Sequence, residues 1–135
     1  MPFVRFAILL LSLLLFSLSA HANPFIGTWE LVAGEVVNEQ GELQTYSALK
    51  MKAIKVIAEH HYSFISMSGD TFWGAGSGRY EFDQTHYVEM PLYTSYPLAP
   101  NSEYRFLYQI KNNEWHNERW QGDQRVEFEI WRKLP

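Results

Sequence analysis

From Asn23 to the C terminus, turn-forming residues interrupt short alternating runs every eight to twelve residues or so, and no stretch keeps a helical period for long. That rhythm predicts strands, and strands at this spacing predict an all-β sandwich or barrel. The last third shows it best. Tyr104, Phe106, Tyr108 and Ile110 fall on one face of a strand, and Asn112-Asn113 predicts a tight hairpin, because asparagine tolerates positive φ. Trp115 to Trp120 returns, Gly122-Asp123 turns the chain, and a final strand carries Val126, Phe128 and Ile130 on its apolar face. Its other face, Glu127, Glu129, Trp131 and Lys133, reads as an outer face. Upstream, Gly27 to Val37, Met51 to Ile57, His61 to Met67, Arg79 to Phe82 and His86 to Tyr93 read as strands, and only Thr45 to Lys52 could be helical. Pro97 and Pro100 mark Tyr96 to Asn101 as an irregular connection. Eight or nine antiparallel strands without a repeat or linker predict a small up-and-down β-barrel, since closure removes two exposed edges. With about eight strands the interior is just wide enough for side chains or one small ligand.

The first 22 residues have a different grammar. Arg5, an apolar run from Phe6 to Leu18 broken by Ser12 and Ser17, and the small-x-small triplet Ala20-His21-Ala22 read as a cleavable signal peptide. The run is too short for a stable membrane anchor, which needs about 20 apolar residues. Export to the periplasm or outside the cell is the expected localisation, with residues 23–135 as one barrel domain. All 15 acidic residues but only 10 of the 11 basic ones lie in those 113 residues, giving a formal charge of −5. An acidic domain is a poor partner for nucleic acid or anionic lipid. The chain has no cysteine, which removes disulfides, thiolate metal sites and cysteine nucleophiles.

Gly27-Thr28-Trp29-Glu30-Leu31-Val32 opens the first strand. A Gly-x-Trp there resembles the signature of lipocalins and the wider calycin group, and the fuller GTWELV string resembles a subgroup of short bacterial lipocalin-like proteins. Three further segments are similar to that subgroup: Lys55-Val56-Ile57 leading to His61-Tyr62-Ser63-Phe64, the glycines Gly74 to Gly78 before Tyr80, and Glu129-Ile130-Trp131-Arg132-Lys133. The resemblance implies a barrel that binds a hydrophobic or amphipathic molecule. It also implies that Trp29 closes one end, with a basic residue of a late strand, here Arg132, across its ring. The chain departs from typical lipocalins in its shorter length, its lack of cysteine and the absence of a recognisable helix after the last strand.

Aromatic residues make up 16% of the chain, more tyrosine than a dry core needs. Trp29, Tyr62, Phe64, Tyr80, Phe82, Tyr104, Phe106, Tyr108, Trp115 and Phe128 sit at parities that could point inward, as a pocket gripping an apolar ligand requires. They could equally fill the barrel. An inward arginine would capture a ligand carboxylate, but Arg105, Arg119 and Arg125 read as outer-face residues. His60, His61, His86 and His116 read as turn or surface residues, and no metal or cofactor is expected. The glycine cluster lacks the lysine and helix of a phosphate loop and fits a bulge or bend, or a mobile mouth beside Phe72-Trp73. Three functional classes follow. The first is an exported carrier of a small hydrophobic or amphipathic molecule. The second is an envelope scaffold with a filled barrel, binding a protein or glycan through loops such as Tyr93 to Tyr96. The third, a barrel-cavity isomerase or hydrolase, has no motif behind it and requires an inward His or carboxylate with a perturbed pKa.

Overall fold

The structure, a computed structural model, describes residues 22–135; the leader expected at Met1 to Ala22 lies outside them except for Ala22. Nine antiparallel strands follow in order: β1 Gly27–Val37, β2 Leu43–Thr45, β3 Met51–Ile57, β4 His61–Ser68, β5 Thr71–Phe82, β6 His86–Thr94, β7 Tyr104–Lys111, β8 Glu114–Gln121 and β9 Gln124–Lys133. From β3 onward each strand pairs with the next, and β1 pairs with both β3 and β9, so eight strands close into a lipocalin-like barrel. The short β2 is additional and pairs with the far end of β1. There is no helix among the described residues.

Local sequence explains the joints. Asn112 and Asn113 have φ of 54° and 61°, the two positive values that a two-residue hairpin turn matched to strand twist demands. A register shift between Leu31 and Ala33 lets β1 leave β3 and continue beside β2 and β9. Gly34 follows that bulge, and a Cβ there would overlap the Phe128 carbonyl oxygen and press on the Tyr46 ring. Thr45 to Lys52, the one segment that could be helical, forms a single turn and no helix. Leu49 N–H donates to the Thr45 carbonyl at 3.2 Å, and the Thr45 hydroxyl accepts from Ala48 N–H at 3.1 Å. Lys50 then takes φ of 50° and β3 pairing begins at once with Met51 opposite Ser68.

The glycine cluster lies inside one continuous strand, β5, where Gly74, Gly76 and Gly78 are buried on the inner face. β5 itself skips Trp73 in its pairing with β4, and between Ser77 and Gly78 the register shifts because Leu92 of β6 is left unpaired before Pro91, a residue with no N–H to offer the ladder. Gly74, Gly76 and Gly78 leave the barrel wall without side chains for three consecutive inward positions.

Strand β9 reverses the parity read from the sequence. Trp29 lies opposite Lys133, Leu31 opposite Trp131 and Trp115 opposite Trp131. Directly opposed residues share a face, so Glu127, Glu129, Trp131 and Lys133 point into the barrel. Phe128 therefore points outward, contrary to its place in the expected aromatic lining. It is covered by the Arg125 guanidinium 4.5 Å above its ring, and Arg125 in turn bonds Glu35 at 2.7 Å and Glu118 at 3.3 Å. The basic partner of Trp29 is Lys133, with Nζ 5.5 Å from the ring, whereas Arg132 pairs outside with Glu30 at 2.9 Å.

The core is an aromatic plug at one end. Phe25, before β1, packs edge-on or tilted against Tyr80, Phe82, Tyr87, Tyr108 and Trp115 at 4.8–6.2 Å. Trp29 meets Trp115 at 5.3 Å and donates from Nε1 to the Phe25 carbonyl at 2.8 Å. Asn23 ties the segment down by donating to the Tyr80 hydroxyl, which itself donates to Ala58 O.

Candidate ligand-binding cavity

The opposite end is open. Here β1 and β3 have separated, and a cavity of about 490 Å³ enters the barrel between the β1–β2 lip and the start of β5. Leu31, Met51, Ala53, Phe64, Phe106 and Trp131 supply its apolar wall, while Trp73, Tyr96, Tyr104 and Tyr46 stand nearer the rim. Gly74 lines it too, so the missing side chain there is cavity space.

The ten aromatic residues expected from the sequence divide between the two ends. Phe64, Tyr104 and Phe106 line the cavity. Trp29, Tyr62, Tyr80 and Trp115 are buried below it, Phe82 and Tyr108 edge the plug through Phe25, and Phe128 is outside. All four described histidines lie away from the cavity lining: His60 and His61 are exposed, His86 sits in the Asp83 turn, and His116 pairs outside with Glu114. Among the described residues no three His, Asp or Glu side chains converge as a metal site.

Sequence reasoning missed the charged layer between plug and cavity. Lys55, the middle inward residue of β3, is 3% exposed, and its Nζ lies 2.6 Å from Oε1 of Glu89, which is 5% exposed. The Tyr87 hydroxyl donates to the same oxygen at 3.0 Å. The ammonium also lies 4.8 Å from the Trp131 ring centroid and 5.2 Å from that of Trp115, a geometry in which ring faces stabilise the cation. Burial alone would push its pKa down, but the charges of Glu89 and Glu129 outweigh it and raise it above ordinary lysine's. Arg119, expected outside, points inward on β8. Its Nε donates to Glu127 at 3.0 Å, and its guanidinium lies over the Tyr104 ring at 5.5 Å.

Glu129 is the unmatched member. It accepts a hydrogen bond from Trp131 Nε1 and is almost wholly buried. Burial first, then the charge of Glu127, push its pKa up to about 8, against the smaller opposing pull of Lys55. The folded chain therefore holds a proton here that the unfolded chain, titrating near 4.5, has lost. This contribution to stability is complete below about pH 4.5 and is lost as pH rises through about 8. Urea unfolding between about pH 5 and about pH 9 is expected to show a decline on the order of 4 kcal/mol that Glu129→Gln abolishes. Equal slopes in the two chains would mean that Glu129 is ionised throughout.

Two further polar groups in the interior lack a partner among the described residues: the Tyr62 hydroxyl and Asn117 Nδ2. Burial and then the charge of Glu89, a cavity-lining residue, push the Tyr62 pKa above the ordinary tyrosine value. No protein-family model matches the chain and neither does any curated protein, so the chemistry of this cavity rests on its own residues.

Proposed function

We propose that the protein is an exported lipocalin-like carrier that holds one small hydrophobic or amphipathic molecule in the open half of its barrel. The cavity is the observation that carries this reading. Its volume falls within the range of small-molecule pockets, about 300–1,000 Å³, and its wall is largely apolar with a few placed polar groups. The signal-peptide grammar of the first 22 residues supports export. The scaffold reading is the weaker one. It draws on Phe72, Trp73, Leu92 and Tyr93, which are exposed at the mouth, but its premise of a filled barrel conflicts with the cavity. A cavity enzyme has Glu129 as an inward carboxyl, yet the lining contains no histidine among the described residues.

Trp73 and Trp131 line the cavity, so their emission reports an occupant. Titration with decanol, retinol, deoxycholate and haem is expected to give saturable changes with at least one probe, with Kd on the order of micromolar. Gly74→Leu is expected to abolish them. A Cβ at Gly74 meets only Ser95 Oγ, at 3.5 Å, so the added side chain fills cavity rather than displacing wall. Its melting temperature should stay within about 4 °C of the parent. No saturable change with any probe would overturn the reading.

A further inference from the structure

We propose that the cavity selects an amphipathic amine, whose ammonium group pairs with the Glu129 carboxylate while its apolar part lies against Leu31, Met51, Phe64 and Phe106. This inference rests on the carrier reading and names its ligand class. It begins from a count of charges. Four glutamates line the cavity, Glu39 at its exposed lip and Glu89, Glu127 and Glu129 inside; against the inner three stand Lys55, which lines it too, and Arg119, which reaches it through Glu127. Both cations are engaged, Lys55 by Glu89 at 2.6 Å and Arg119 by Glu127 at 3.0 Å. Glu129 has the neutral indole N–H of Trp131 and a carboxyl–carboxylate hydrogen bond with Glu127, but no cation of its own. A buried carboxylate without a cation is costly, so Glu129 stays protonated until a positive charge is brought to it.

The same count argues against a fatty acid. A ligand carboxylate would find no unengaged cation among the described cavity residues, and it would have to approach Glu129. The aromatic wall acts in the same direction, because the faces of Trp73, Tyr96 and Tyr104 are negative and favour cations over anions. The domain's formal charge of −5 steers a cation towards the mouth.

Glu129 is faced by Lys55 from β3, Tyr87 from β6, Tyr46 from the turn after β2, and Glu127 and Trp131 on its own strand. Burial and the charge of Glu127 keep its proton in place at neutral pH, against the weaker pull of Lys55 and the Trp131 hydrogen bond. An arriving ammonium replaces that proton: R–NH3+ and the neutral carboxyl become an ion pair, and one H+ leaves for solvent.

Decylamine, decanol and decanoate, matched in chain length, separate the possibilities near pH 7. The amine is expected to bind at least about tenfold tighter than the alcohol, and the carboxylate weaker than either. Calorimetry in buffers of different ionisation enthalpy should show close to one proton released per amine and none per alcohol. Glu129→Gln should bring the amine to the alcohol's affinity and end the proton release. If decanol binds but decylamine binds no tighter and releases no proton, the amine assignment falls and the carrier reading stands. If none of the three chains saturates the protein and the earlier probes also fail, both fall. Proton release is measured on the unaltered chain, so it tests the assignment even if the variant folds poorly.

Discussion

Lys55→Met is expected to destabilise the fold by about 3–5 kcal/mol near neutral pH, the loss seen when one partner of a buried ion pair is removed. The geometry places the effect at the severe end. Glu89 is 5% exposed, and its oxygen is bound by Lys55 at 2.6 Å and Tyr87 at 3.0 Å. Without the ammonium, one neutral hydroxyl remains to stabilise a buried anion, so Glu89 must take a proton or draw water into the barrel. Adding Glu89→Gln to Lys55→Met is expected to restore most of the stability, because a neutral amide can keep the Tyr87 hydrogen bond. Urea unfolding of the two single variants and the double variant completes the cycle. A loss below about 1 kcal/mol for Lys55→Met, the scale of an exposed pair, would show that the layer is solvated.

The legible parts of the chain were those where local chemistry and burial agree. In β7 the alternation Tyr104, Phe106, Tyr108, Ile110 puts apolar residues inward, and the Asn112-Asn113 turn has the backbone that those residue types favour. The barrel follows from the spacing of such segments. In β9 the same logic misleads, because apolar is not the same as inward once a barrel holds a polar cavity. Glu127 and Glu129 face the lumen, where Arg119, Lys55 and Trp131 meet them, while Phe128 is sheltered outside by the Arg125 bridge. A one-residue choice decided the error. Pairing Trp29 with Arg132 keeps Val126, Phe128 and Ile130 inside, whereas pairing it with Lys133 turns the whole strand over.

Lys55 and Glu89 were illegible for a related reason. Each is a single charged residue among inward neighbours, Ala53 and Ile57 for one and Tyr87 for the other, and nothing in either strand alone says that the two meet across the lumen. The pairing exists only after closure brings β3 and β6 to opposite walls. The cavity was hidden too, because it depends partly on atoms that are missing: Gly74 faces inward with no side chain, and the space that a side chain would take is cavity. The barrel thus combines two interiors that the aromatic content of the sequence does not distinguish.

The closed interior is the subject of the second large effect. Trp29→Ala is expected to cost about 3–5 kcal/mol, the range for removing a large aromatic side chain from a core. Trp29 is completely buried, packs edge-on against Trp115 at 5.3 Å and lies beneath Lys133 Nζ. Its Nε1 also holds the Phe25 carbonyl, so removal loosens the segment whose ring contacts five other aromatic residues. Trp29→Phe keeps most of the packing but leaves that buried carbonyl without its donor, for an expected loss of about 1–3 kcal/mol. Near-ultraviolet circular dichroism should lose most of its aromatic signal in the alanine variant, because the plug sets the asymmetric environment of Trp115 and Tyr87. A loss under about 1 kcal/mol for Trp29→Ala would show that Phe25 and Trp115 close the barrel without it. Phe64, Tyr104 and Trp131 line the far end and Trp29 does not. Probe affinity in Trp29→Phe should therefore follow the folded fraction alone, and any further loss would make plug and cavity a single cooperative unit.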